Sequence, residues 1–186
     1  MSSLNQAVFN WIHHFAGRWA ILDGFAIFCA QWLPYILVIT FIFLILNKET
    51  ARKRFYLFAE GALAIILARG IITTIIQYFY YYPRPFEFYG FAPLIAESGS
   101  SFPSGHAAWF FALAMIAWYA DRKWGVWYFI LATLISIARI YAGVHWPLDV
   151  IGGAIIGIGS GMFVRWLLKS YSSAITTAQP SASSRA

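Results

Sequence analysis

The sequence predicts an all-α integral membrane bundle of five transmembrane helices, six if the first 31 residues also cross, with an N-terminal interfacial helix. Composition is the first reason. The chain is 61% hydrophobic and 11% charged, against about 25% charged residues in soluble domains. Its mean hydropathy is +0.66. The second reason is pattern: apolar runs of span length are separated by short polar stretches. The third is the aromatic content of 20%, much of it Trp and Tyr near the ends of those runs, as in interfacial belts.

The elements follow in order. Leu4, Val8, Trp11, Ile12 and Phe15 recur at helical spacing, while His13, His14 and Arg18 keep the segment amphipathic. It is too short and polar to span, so an interfacial helix is expected. Trp19 to Leu46 is too short for two spans, which need about 40 residues. Asp23 weakens its first part and Pro34 is expected to break it. The reading is a short, partly inserted helix followed by the span proper from about Trp32 to Leu46. A second helix is expected from about Phe55 to Tyr82, ended by Pro83-Arg84-Pro85. Residues Phe86 to Phe102 read as a loop. Further spans are expected at Ser104–Ala120, Val126–Tyr141 and Pro147–Leu168. Pro147 suits a first helical turn. Gly152, Gly153, Gly157, Gly159 and Gly161 suggest close helix packing in the last span. The domain is read as residues 1–169. Residues 170–186, rich in Ser, Thr and Ala, are expected to form a disordered cytoplasmic tail.

The charges orient the bundle. The net charge of +6 would suit a nucleic-acid binder, but its placement in short inter-span loops excludes that partner. Lys48, Arg52, Lys53, Arg54, Arg122, Lys123, Arg165, Lys169 and Arg185 share one side, nine of the thirteen Lys and Arg residues. That side is read as cytoplasmic. Cys29 is alone, so no intramolecular disulfide forms and redox chemistry is not expected. No basic region precedes a short apolar core at the N-terminus, so no cleavable signal peptide is expected.

The opposite side collects the remaining chemistry: Arg84, Pro103-Ser104-Gly105-His106, Arg139, His145 and Asp149. Two guanidiniums and the free amides of a helix N-terminus suit a phosphate or diphosphate. Two histidines can divide phosphoryl transfer into nucleophile and proton donor. Asp149 lies one helical turn after His145 and can accept a hydrogen bond from one ring nitrogen, freeing the other to attack. No Cys or acidic cluster has metal-site spacing, so neither metal nor other cofactor is needed.

Plainer readings stand beside these. Either histidine alone would more often be structural. His13 and His14 read as interfacial residues, and Glu87 and Glu97 as solvated loop acids. Arg69 lies mid-span, where a charge costs at least ~2.5 kcal/mol. Glu60, nine residues earlier, points the other way round the helix and cannot pair with it. A buried structural role is therefore expected for Arg69. Tyr78 to Tyr82 reads as an aromatic belt, or as the lining of a lipid entrance.

These residues carry a resemblance. The chain is similar to the type 2 phosphatidic-acid phosphatase family of membrane lipid phosphatases, with motifs Lys-x6-Arg-Pro, Pro-Ser-Gly-His and Ser-Arg-x5-His-x3-Asp. The second is intact at Pro103–His106, the third runs from Arg139 through His145 to Asp149, and the first keeps Arg84-Pro85. Gln77 stands at the Lys position and Ala138 at the Ser position. The resemblance implies that His145 attacks phosphorus to form a phosphohistidine, that His106 protonates the leaving oxygen, and that Asp149 orients His145. It implies phosphoryl binding by Arg84, Arg139, Ser104 and Gly105, with Gln77 able to hydrogen-bond but not to supply charge. The compact length and Pro83-Arg84-Pro85-Phe86 resemble the bacterial undecaprenyl-diphosphate phosphatase branch. Undecaprenyl diphosphate on the outer membrane face ranks first as substrate. Phosphatidylglycerophosphate, phosphatidate and lipid A phosphates are the alternatives, and a lipid-phosphate binder or transporter is the non-enzymatic one. Soluble vanadium haloperoxidases share the phosphate-site motifs, but the apolar spans argue against them.

Overall fold

The structure is a computed structural model and describes the backbone of residues 3–178, with side chains described through Lys169. The described residues form helices and no strands. We number the helices α1 (Ser3–His13), α2 (Ala20–Leu46), α3 (Ala51–Phe79), α4 (Pro85–Tyr89), α5 (Gly105–Ala120), α6 (Arg122–Tyr141) and α7 (Pro147–Ala178). Four apolar helices are long enough to cross a membrane: α2, α3, α6 and the first part of α7, Pro147–Lys169. The shorter apolar α5 is the centre of the bundle, with most of its residues buried. Five apolar helices therefore build the fold. With 11 residues, α1 is too short to be a sixth span.

The expected break at Pro34 does not occur. Helix α2 is continuous from Ala20 to Leu46. Phe28–Trp32 forms a π-helical stretch, and the amide of Leu33 donates to the Phe28 carbonyl, five residues back. This wider turn puts Pro34 in the first turn of the α-helical segment that follows, where its missing amide costs little. Helix α3 ends at Phe79 rather than Tyr82, because Tyr80 is already extended (φ −134°, ψ 98°). The expected loop after Pro85 opens with the single turn α4, closed by Gly90 at φ +72°. Helix α6 starts at Arg122 rather than Val126. Asp121 caps it, its Oδ1 accepting from the amides of Lys123 at 2.8 Å and Trp124 at 3.1 Å. Helix α7 continues to Ala178, into the stretch read as a tail, while residues 179–186 lie outside the described residues.

The two basic turns meet at one end, where Lys48 Nζ donates to the Ala120 carbonyl at 3.1 Å. Glu60 is buried there and pairs with Arg165, which answers the charge that Arg69 cannot reach. Three of the five glycines in α7 serve close packing against α5. A Cβ on Gly153 would strike the Ser104 carbonyl, one on Gly157 would lie 2.5 Å from the Ala108 carbonyl, and one on Gly161 would lie 2.8 Å from Met115 Cβ. Gly152 faces the Phe102 ring instead, and Gly159 faces open space.

At the other end, α1 lies across the ends of α6 and α7. Its Phe9 is buried against Trp146, with ring centroids 5.0 Å apart. Asn5 Oδ1 accepts from the Leu148 amide at 3.1 Å. His13, read as interfacial, is tied down: its Nδ1 is 2.8 Å from the Tyr141 carbonyl and its ring stacks on Phe91.

The glycine stripe gives a contrast to test by thermal melting in detergent. Gly157→Ala should destabilise by about 1–3 kcal/mol, because neither helix backbone can yield to the added methyl. Gly159→Ala should be neutral or stabilising by up to ~1 kcal/mol, since only helix propensity changes.

Candidate phosphate site at one end of the bundle

The candidate residues come from four helices and the three segments that connect them. Ser104 ends the 90–104 loop and caps α5, its Oγ accepting from the Ala107 amide at 3.4 Å. The Ser104 amide donates to the Asp149 carbonyl at 2.9 Å, which pins the start of α5 to α7. The amides of Gly105 and His106 occupy the first helical turn, where no intrahelical acceptor exists. Gly105 has no room for a side chain: a Cβ there would clash with Arg69 Nε and lie 2.8 Å from its Cδ.

His145 and Asp149 are both fully buried. His145 Nδ1 is 3.6 Å from Asp149 Oδ2, beyond a direct hydrogen bond. Ser101 stands between them. Its Oγ is 3.5 Å from His145 Nδ1 and donates to Asp149 Oδ2 at 2.5 Å. The Trp146 amide donates to the same oxygen at 2.7 Å. The expected carboxylate–imidazole pair is thus a three-residue arrangement that leaves His145 Nε2 free. Burial, then the charges of Arg139 and Arg84, hold the His145 imidazole well below the ordinary histidine range. It is therefore neutral, with a lone pair, near pH 7.

His106 makes no hydrogen bond to another described residue, so its ring nitrogens are open to a ligand. It lines the same cavity as Arg139 and Glu97.

The guanidiniums differ in how they are held. Arg84 is buried and saturated by backbone carbonyls: Nη1 donates to Val144 at 2.8 Å, Nε to Gly99 at 2.9 Å, and Nη2 to Ser98 and Ser100 at 3.0 and 3.3 Å. It fastens the 98–100 loop to the His145 loop. Arg139 pairs through Nη2 with Glu97, while its buried Nε has no partner. Glu97 Oε1 also lies 3.8 Å from Arg84 Nη2. Burial alone would raise the Glu97 carboxyl, but Arg139 and Arg84 hold it below the ordinary range. Glu97 was expected to be a solvated loop acid. The structure makes it a charged bridge between the two arginines, because the loop folds inward over α6.

Gln77 does not face the candidate ligand position as expected. Its Nε2 donates to the carbonyls of Pro103 at 2.9 Å and Ser100 at 3.4 Å, so it holds the 100–103 loop. Ser101 and Glu97 were missed as site residues. Ser101 offered only its adjacency to Phe102-Pro103-Ser104-Gly105-His106. Glu97 offered only its place as an acid in the loop that leads to Pro103-Ser104-Gly105-His106.

The site opens sideways. A cavity of about 930 Å³ has His106, Arg139 and Glu97 among its lining residues and continues along Trp32, Tyr35, Val38, Ile39, Trp109 and Phe110. It runs between α2 and α5 and ends among exposed apolar side chains. A polar end joined to an apolar groove suits a phosphate on a long apolar tail. Tyr78 to Tyr81 are exposed and are not among its lining residues.

Comparison with known proteins gives this geometry a family. The PAP2 superfamily profile matches residues 58–172. A relative named bacitracin transport permease protein BcrC, from Bacillus licheniformis, is 29% identical over 167 residues, covering 89% of this chain and 81% of its own. The putative undecaprenyl-diphosphatase YbjG of Escherichia coli is 32% identical over 162 residues, covering 85% and 79%. Among solved structures, the crystal structure of Aquifex aeolicus LpxE superposes with a TM-score of 0.74 at 32% identity, covering 88% of this chain and 95% of that one. Matched along most of its length in sequence and in helix arrangement, the chain belongs to the PAP2 superfamily and is a multi-pass membrane lipid phosphatase.

Proposed function

We propose that the protein hydrolyses undecaprenyl diphosphate to undecaprenyl phosphate and inorganic phosphate, at the outer face of a bacterial cytoplasmic membrane. The observation that carries the reading is the continuity of the arginine–histidine site with the 930 Å³ apolar groove. The name of the Escherichia coli relative supports the substrate. The gathering of Lys and Arg at the opposite end supports the orientation.

The chemistry follows from the atoms. His145 Nε2, freed because Nδ1 faces Ser101 and Asp149, attacks the terminal phosphorus. The bond from that phosphorus to the bridging oxygen breaks. His106, which takes up a proton when the anionic diphosphate binds beside it, gives that proton to the bridging oxygen, which leaves as undecaprenyl phosphate. Water, deprotonated by His106, then attacks the phosphohistidine. The phosphorus–nitrogen bond breaks, phosphate departs and neutral His145 is restored. Ser101 and Asp149 hold the ring and stabilise the positive charge that develops on it. Arg139, with the amides of Gly105 and His106 and the Ser104 hydroxyl, binds the phosphoryl oxygens. Arg84, already committed to carbonyls, shapes the site and adds its field. Charge neutralisation comes from guanidiniums and amides, so no metal is needed.

Glu97 is the carboxylate that a phosphate must replace on Arg139. Each arginine keeps a counter-anion in both states, which limits the cost of burying it.

The first test is phosphate release by purified protein in excess chelator, comparing undecaprenyl diphosphate, phosphatidylglycerophosphate and phosphatidate. Preference for the polyprenyl diphosphate is the expected outcome. Better turnover of a glycerolipid would move the enzyme to phospholipid metabolism, and recovery only with a divalent ion would overturn metal independence. Tight lipid binding without release would favour transport, the activity in the name of the Bacillus licheniformis relative.

His145→Ala should abolish turnover while the melting temperature in detergent stays within a few degrees; full activity would remove His145 as nucleophile. Glu97→Gln should cost about 1.5–3 kcal/mol of stability, the worth of a charge-assisted hydrogen bond. Inorganic phosphate should then raise the melting temperature of Glu97→Gln more than that of the parent. An equal rise would mean that Glu97 and phosphate do not share a place.

A further inference from the structure

Arg69 is the cation that the mechanism above leaves unused. It sits in the span α3, where an unpaired charge is costly. Glu60 is taken by Arg165 at the far end of the bundle. No carboxylate pairs with Arg69 among the described residues, and its Nη1 has only a marginal contact at 3.5 Å, to Thr74 Oγ1. The local backbone is π-helical from Ile66 to Thr73. The Arg69 side chain lies over Gly105, where an added Cβ would be 2.8 Å from its Cδ and 2.9 Å from its Cζ. Glycine at 105 is therefore what lets this guanidinium approach the start of α5.

The neighbouring cations are committed. Arg84 gives its donors to four backbone carbonyls, and Arg139 is bridged by Glu97. Gln77, on the same helix, is neutral and spends its amide on the 100–103 loop. Arg69 thus brings uncommitted donors to the first turn of α5, beside His106. His106 follows Gly105 in that turn, so Arg69 stands beside the histidine read as the proton donor to the leaving oxygen.

We propose that Arg69 binds the second phosphate of a lipid diphosphate, the one that stays with the lipid, and so makes the site selective for diphosphates over monophosphates. A lipid monophosphate has only an ester oxygen at that place and gains little from a guanidinium there. A diphosphate leaves as a phosphate monoester whose charge grows as the bridging bond breaks, and a fixed guanidinium stabilises that charge. This inference rests on the phosphatase reading, with His106 on the leaving-group side.

The test compares kcat/KM for undecaprenyl diphosphate and for phosphatidate in the parent, Arg69→Gln and Arg69→Lys. Loss of a charge-assisted contact should lower the diphosphate value about tenfold or more in Arg69→Gln. The phosphatidate value should change less than about threefold, and Arg69→Lys should recover part of the diphosphate activity. Equal losses on both substrates, or no loss on either, would overturn the proposal. If Arg69→Gln does not fold in detergent, Arg69→Lys and the unaltered protein decide. Methylenediphosphonate should then inhibit phosphatidate turnover by the parent at least about tenfold more strongly than inorganic phosphate does, and Arg69→Lys should narrow that gap. Equal inhibition by the two anions, or an unchanged gap in Arg69→Lys, would also overturn it. A parent that releases no phosphate from either lipid would instead sink the phosphatase reading itself, a result distinct from failure of the Arg69 proposal.

Discussion

The close contact between α5 and α7 is the constraint on which the rest of the structure depends. Gly153, Gly157 and Gly161 leave one edge of α7 without side chains, and the backbone of α5 settles against it. The Ser104 amide then reaches the Asp149 carbonyl, so the first turns of both helices are fixed to one another. That single contact sets His106, at the start of α5, relative to His145 and Asp149, at the start of α7. Helices held further apart by ordinary side chains would separate the histidines and open the helix N-terminus to lipid. Because α5 is enclosed by its neighbours, it need not be long enough to span a bilayer by itself, and its 16 residues suffice.

Electrostatics shape the second layer. Arginines in or near an apolar interior are costly unless partners answer them, and among the described residues all but Arg69 have such partners. Arg84 is answered by loop carbonyls, Arg139 by Glu97, and Arg165 by Glu60. The carbonyls that satisfy Arg84 come from the 98–100 segment and from Val144. Satisfying that one guanidinium therefore ties the two loops that carry the candidate chemistry. Helix α1 closes the same end, through Phe9 on Trp146 and Asn5 on the Leu148 amide. An element read as a mere interfacial anchor thus braces the loop containing His145.

Several departures from the sequence reading share one physical origin, the response of backbone geometry to neighbours. Proline at 34 ends a helix by local rules, yet a π-turn just before it accommodates the ring and keeps α2 whole. Helix α6 starts before the expected Val126 because the Asp121 carboxylate caps it, accepting from the amides of Lys123 and Trp124. Gln77, aligned with a phosphate-binding position, turns instead to the Pro103 carbonyl, which a neutral amide can satisfy without a ligand.

By itself the sequence determined the solvent of this protein, its all-helical class, and most of the polar residues that gather at the candidate site. Hydropathy fixes the first two because lipid demands long apolar helices with internally satisfied backbones. Chemistry-bearing residues at an apolar chain's few polar interruptions mark the third, since such residues are costly there without a use. Tertiary structure alone decided how those residues divide the work. Ser101 joins His145 to Asp149, Glu97 bridges the arginines, and Arg69 comes to rest on Gly105, each across a long stretch of sequence. Charge and hydrogen-bond partners act over a few ångströms of space. Spacing along the chain reports such distances only within one helix turn or one loop.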